Sequence, residues 1–167
     1  MPTESRFDFD ATTVALSAII AAAVAVATMV ISIPLGIGYL NFGEVIIYTA
    51  AFLFGGTVAG LSGGIGAATA DVILGFPMYA PVTLVVKGIE GYIVGHLAGA
   101  SLRSKAIAVA AGAPIMIAGY VLARAVVEGI PAAIFLELPT DILQAAVGFA
   151  LSVPLSKALE GRLPELR

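Results

Sequence analysis

The sequence predicts an all-α membrane protein, a bundle of six transmembrane helices with both termini cytoplasmic. Three observations predict it. The chain is 60% hydrophobic and only 11% charged, where soluble domains carry roughly a quarter charged residues. Its apolar residues gather in blocks of about 18–22, long enough to cross a bilayer as helices. When six spans are drawn, Arg6, Arg103, Lys105, Lys157, Arg162 and Arg167 share one side, as the positive-inside rule requires of a cytoplasmic face. The 167 residues leave no room for a second domain. The opening stretch MPTESRFDFD lacks the basic start and short apolar core of a signal peptide, so the first span is expected to be retained.

The spans are read at 12–33, 42–54, 57–74, 81–99, 107–127 and 140–159. The first is alanine-rich, with Ala18 and Ala22, Ala21 and Ala25, and Ala23 and Ala27 each four apart, which flattens the helix for close packing. Pro34 to Asn41 reads as a loop, because a proline and two glycines interrupt the helix. Gly55-Gly56 is a minimal turn. Gly56, Gly60, Gly64 and Ala68 then line one face of the third span, and Gly91, Gly95 and Gly99 line one face of the fourth. These smooth faces are expected to let the bundle slide or tilt against a partner. Gly75 to Tyr79 is a loop, and Pro81 fits the first turn of the span that follows. Ser101 to Lys105 is a basic loop. Glu128 to Pro139 is the longest connection, and its apolar character predicts that it dips back or caps the bundle.

Charge inside such a bundle is costly and marks function. Glu44, Asp71, Lys87, Glu90, Arg124, Glu128, Glu137 and Asp141 all fall in the outer half or the outer loops of the predicted topology. Lys87 lies roughly 9 Å and Glu90 roughly 13 Å deep, counting 1.5 Å per residue, too deep for residues that merely mark a span end. The sorting predicts a pocket that opens outward, with Tyr39, Phe76, Tyr79 and Tyr120 as its walls. Two cations among six acids suit a neutral or cationic ring compound better than a polyanion. The absence of cysteine removes thiol catalysis and thiolate metal sites, and no basic patch points to nucleic acid. No catalytic residue, cofactor or metal is predicted.

The succession IPLGIGYLNFGEVIIY, FLFGGTVAGLSGGIGAATADVILGFPMYAP, VTLVVKGIEGYIVG and LELPTDILQAAVGFALSVPLSKAL resembles the substrate-binding S components of energy-coupling factor (ECF) vitamin transporters, over nearly the whole chain. The resemblance implies a high-affinity binding subunit that takes a water-soluble vitamin or precursor (riboflavin, pyridoxine or a pyrimidine) from outside. It implies delivery through a transmembrane coupling (T) subunit and two cytoplasmic ATPases, docked on an alanine-x-x-x-alanine face of the first span, here carried by Ala18 and Ala22, by Ala21 and Ala25, or by Ala23 and Ala27. The candidate substrate-binding residues are Tyr39, Asn41, Glu44, Tyr79, Lys87, Glu90, Tyr120, Arg124 and Gln144. The chain has no tryptophan, so tyrosine or phenylalanine would have to stack on the ligand ring. It has no G-x-x-x-x-G-K-[ST] loop, so ATP hydrolysis belongs to a partner. The alternative is a stand-alone ion-coupled carrier or channel built on Asp71, Glu90 and Asp141. The string Gly60-Leu61-Ser62-Gly63 with His96 resembles part of an intramembrane serine protease, but the further histidine and asparagine of that family are missing.

Overall fold

A helix that is apolar on nearly every side has to be surrounded, and the segment Gly43–Phe54 is such a helix. The computed structural model of the chain describes residues 10–30, 32–34 and 39–162, with only the backbone at 32–34 and at Tyr39. In chain order the elements are α1 (Ala11–Val30), β1 (Ser32–Pro34), β2 (Tyr39–Asn41), α2 (Gly43–Phe54), α3 (Gly56–Ile73), α4 (Ala80–Leu97), α5 (Leu102–Val127) and a composite α6 (Ile130–Glu160). α2 packs against α1, α3, α4 and α6, and most of its residues are buried. Ile47, Tyr48 and Phe52 of α2 meet Val94 and Met116 in the core. Among the described residues α1, α5 and α6 are long and apolar enough to cross a membrane. α3 and α4 have 18 residues each, but their apolar character is diluted by glycine and charge.

α3 is the structural spine, with α1 on one side and α4 on the other. The α3–α4 contact is made by backbone. A methyl group on Gly64 would stand 2.6 Å from the Leu84 carbonyl oxygen, and one on Gly91 2.6 Å from that of Ala59. The small-residue faces expected to slide against a partner are therefore closed on each other, Gly56, Gly60 and Gly64 of α3 against α4, Gly91 and Gly95 of α4 against α3. The same economy seats α1: Gly66 faces the Ala21 carbonyl, and Ala21, Ala25 and Ala27 are buried. Ala18 and Ala22 lie exposed on the other side of α1.

Three connections differ from expectation, each for a local reason. The first span, expected to reach residue 33, ends as helix at Val30, and β1 and β2 pair antiparallel across its expected end and the expected loop, Ser32 with Asn41, Ile33 with Leu40 and Pro34 with Tyr39. Helix α5 begins at Leu102 rather than near 107, because the Ser101 hydroxyl accepts the Ser104 N–H (3.1 Å) and caps the basic stretch into helix. Lys105 is thereby turned inward over the Phe52 ring, 4.9 Å from its centre, with Ser156 as hydrogen-bond partner. The long connection at 128–139 shrinks to a turn at Glu128 and Gly129. Gly129 takes φ +96°, a conformation that glycine adopts freely. Helix resumes at Ile130, with Pro131 in its first turn, where proline is tolerated. Residues Ala133–Glu137 form a π-helical stretch. It ends two residues before Pro139, whose missing N–H and bulky ring do not suit a regular α-turn, and the wider turn absorbs the mismatch.

Candidate functional site

The helix ends that converge beside the hairpin enclose a cavity of about 200 Å³. β2 supplies Asn41, and α2 Glu44 and Ile47. α3 supplies Asp71, the following turn Phe76 and Tyr79, and α4 Thr83 and Lys87. α5 contributes Tyr120, Arg124 and Glu128, while α6 contributes Glu137, Thr140, Asp141 and Gln144. The charged residues named from the sequence thus come to one end of the bundle, on helices far apart in the chain.

Three hydrogen-bonded groups organise the walls. At the base, Lys87 forms an ion pair with Glu44, and its Nζ lies 3.6 Å from Glu90 Oε2. All three side chains are at most 5% exposed. Glu90 Oε1 accepts the Tyr48 hydroxyl at 2.6 Å. A buried ion pair of this kind contributes little net stability, because desolvation offsets attraction, yet removing one partner is strongly destabilising. Lys87 also sits 5.4 Å from the centre of the Tyr120 ring. On one wall, the Tyr120 hydroxyl donates to Thr83 Oγ1 (3.0 Å), which donates to Asp71 Oδ2 (2.5 Å). Beside the hairpin, Gln144 Oε1 accepts from both the Asn41 backbone N–H (3.2 Å) and its Nδ2 (3.0 Å), while Asn41 Oδ1 accepts the Gly43 N–H at the start of α2 (2.9 Å). Asn41 and Gln144 therefore tie the hairpin to α6.

The mouth is bridged by Arg124, which reaches Glu137 Oε2 at 2.5 Å and Glu128 Oε2 at 2.9 Å. Tyr79 donates to Glu128 Oε1 at 3.3 Å. Burial, and then the neighbouring Glu128 carboxylate, push the Tyr79 phenol above its ordinary value. The π-helical stretch ends on Glu137, so the irregular turn sets the reach of this carboxylate toward Arg124.

Of the sequence-predicted residues, Asn41, Glu44, Tyr79, Lys87, Tyr120, Arg124 and Gln144 line the cavity. Glu90 does not: it lies beneath Lys87, wholly buried, and its partners are Tyr48 and Lys87. The side chain of Tyr39 lies outside the described residues. Sequence reasoning missed Thr83, Thr140 and Tyr48. Tyr48 stands four residues after Glu44 and Thr83 four before Lys87, so helical spacing alone put them on charged faces. No group of His, Asp and Glu among the described residues is arranged to hold a metal ion. Ser62 is buried with its hydroxyl directed at the Ala59 carbonyl, and His96 stacks on Tyr92.

A family model described as ECF-type riboflavin transporter, S component, matches residues 8–161. The chain belongs to this family of ECF S components. Among relatives, the S component is 41% identical over 145 residues to a protein of Pyrococcus woesei described as "Uncharacterized protein in gap 3'region", covering 84% of this chain and 97% of the relative. It is 34% identical over 121 residues to the "Thiamine precursor transporter HmpT" of Lactococcus lactis subsp. cremoris (strain MG1363), covering 72% of this chain and 69% of that protein. The family is one of transporter subunits rather than enzymes.

Proposed function

We propose that this S component captures a water-soluble vitamin or vitamin precursor (riboflavin, pyridoxine or a pyrimidine) in the cavity between the hairpin, α4, α5 and α6. A transmembrane coupling subunit and two cytoplasmic ATPases then drive its delivery into the cell. The observation that carries the reading is the cavity itself, a few aromatic walls and convergent polar groups at one end of an apolar bundle, the usual constitution of a small-molecule site. Phe76, Tyr79 and Tyr120 would stack against a ring. Lys87, Asn41, Glu44, Arg124 and Gln144 would hydrogen-bond its substituents, and Tyr39 belongs to the same proposal. Family membership favours a vitamin, and the HmpT relative favours a precursor as one candidate.

The reading sets the bundle across the plasma membrane with six spans, the cavity facing outward and both termini inside. Arg103 and Lys105, at the opposite end of α5 from Arg124, support that orientation. Ala18 and Ala22 are the alanine pair available for docking the coupling subunit, since Ala21 and Ala25 are packed within the chain and Ala27, the partner of Ala23, is buried as well. Mass spectrometry of small molecules released from protein purified in mild detergent tests the binding function directly, with a stoichiometric vitamin or precursor expected. Ala22→Trp should abolish co-purification of the coupling subunit and ATPases while leaving ligand bound. An empty protein that brings down no ATPase would instead favour an ion-coupled carrier using Asp71, Glu90 and Asp141.

A further inference from the structure

The strap at residues 130–137, which joins α5 to the body of α6 beside the cavity mouth, is held weakly. Of its residues only Ala133 is buried, while Ile130 is 70% and Phe135 76% exposed. A segment with so few buried contacts opens at low free energy. Its helix also has a second register within reach. The Leu138 N–H donates to the Ala133 carbonyl, five residues back, where a regular α-helix would use Ile134. Moving that bond to Ile134 turns the strap by about 100° against the rest of α6, the rotation of one helical residue. Pro139 has no N–H, so no bond at that position opposes the exchange. The Thr140 hydroxyl holds the Leu136 carbonyl at 2.7 Å. At the other end of the strap, Gly129 makes the turn at φ +96°.

An ion pair spans the strap. Arg124 stands before Gly129 and Glu137 closes the π-helical stretch, and Arg124 Nη1 meets Glu137 Oε2 at 2.5 Å. The same guanidinium holds Glu128 Oε2 through Nε (3.2 Å) and Nη2 (2.9 Å), and Glu128 Oε1 accepts the Tyr79 hydroxyl at 3.3 Å. One cation thus fastens the strap, the end of α5 and the turn between α3 and α4, and all four of these side chains line the cavity. We propose that residues 130–137 are a lid on the cavity, that Gly129 and the π-helical turn are its hinges, and that the Arg124–Glu137 pair is its latch. Opening breaks that pair and passes the Leu138 N–H from the Ala133 carbonyl to that of Ile134, while Arg124 keeps Glu128. The lid governs passage into the cavity whatever the cavity binds, so its failure would leave the functional reading above untouched.

The chain has no cysteine, so a single introduced thiol reports passage. Ala67 is buried in the cavity wall. Ala67→Cys in the full chain in mild detergent is alkylated with iodoacetamide and the rate followed by mass spectrometry, with Ala100→Cys, at an exposed position after α4, as reference. Arg124→Gln and Glu137→Gln should each speed labelling at position 67 at least about tenfold, as expected when a charge-assisted hydrogen bond is lost, and leave position 100 unchanged. Salt at about 1 M, which screens charges beyond about 3 Å, should speed labelling at position 67 while the latch is intact and have no effect in Arg124→Gln. Backbone hydrogen exchange across 130–138 should accelerate in Arg124→Gln by a similar factor. Labelling at position 67 that ignores both the latch variants and salt, or exchange across 130–138 unchanged by Arg124→Gln, would overturn the lid. A rise at positions 67 and 100 together would do so as well, since it marks general loosening rather than a hinge. If the latch variants do not fold, the salt response of Ala67→Cys alone decides. Thr28→Cys, nearly isosteric and also in the cavity wall, serves if Ala67→Cys does not fold.

Discussion

The two ends of α4 are built on opposite principles. Toward its C-terminus Gly91 and Gly95 bring its backbone onto that of α3, with almost no side chain between them. Toward its N-terminus Thr83 and Lys87 reach into a cavity and join networks that run through α2, α3 and α5. One half gains its stability from dispersion at close range, which is cheap in lipid because small residues lose little entropy on packing. The other carries buried charge whose net contribution to stability is small and whose arrangement is specific. The difference separates scaffold from site within a single helix: the glycine half fixes α4 against the spine so that the charged half can be held with precision.

The comparison is broken most forcefully at Lys87. Lys87→Met leaves Glu44 and Glu90, both essentially unexposed, without their cation. Loss of one partner of a buried pair costs about 3–5 kcal/mol, so the thermal midpoint in detergent should fall sharply and ligand binding should disappear. Adding Glu44→Gln to Lys87→Met should recover part of the stability and none of the binding, because it removes the orphaned charge without restoring the site. A Lys87→Met protein with unchanged stability would mean that the pair is solvated and the charged half is not buried machinery.

The glycine half is probed by two substitutions on one helix. Gly91→Ala places a methyl 2.6 Å from the Ala59 carbonyl oxygen, whereas Gly88→Ala meets the Gly60 oxygen at 3.6 Å, an ordinary contact. The first should cost about 1–3 kcal/mol as overpacking that only a backbone shift can relieve. The second should be neutral or mildly stabilising, since alanine is the better helix former. Ligand affinity of the folded fraction should be unchanged in both. Equal losses at the two positions would show that α3 and α4 are not locked by backbone contact.

Much of this division is written in the sequence. Glycines four apart announce close helix packing, and charged residues sorted to one side announce a site, because each pattern has a direct physical cost if it is not used. What periodicity omits is the partner. Gly60 and Gly91 each mark a smooth face, but nothing local says that the two faces meet each other rather than another subunit. Likewise Ala18–Ala22 and Ala21–Ala25 are equivalent as strings, and only the position of Gly66 turns one pair inward. Lys87 and Glu90 are neighbours on any helix drawing, yet Glu44, distant in sequence, takes the lysine, and Tyr48 takes Glu90. The segment 128–139 reads as loop because two prolines and a glycine crowd it, and a π-helical turn that accommodates Pro139 has no simple sequence signature.

The smallest effect is expected at the mouth. Glu128 is 42% exposed in its ion pair with Arg124, whereas Glu137, 19% exposed, meets the same guanidinium at 2.5 Å. Exposed pairs contribute about 0.2–1 kcal/mol and are screened by salt, so Glu128→Gln should barely move the thermal midpoint and its effect should vanish in high salt, with Glu137→Gln costing more. The Tyr79 hydrogen bond to Glu128 adds a pH signature. The phenol is raised above its ordinary value near 10, so its contribution is fully present below that value and is lost only as pH rises through the still higher folded value. Between pH 6 and 9 Tyr79 should therefore impose no change, and a Tyr79→Phe difference should be flat across that range and fade only in stronger alkali. Should Glu128→Gln prove as damaging as Lys87→Met, the ordering inverts: the ties across the mouth, rather than the buried pair at the base, would be what holds the cavity in shape.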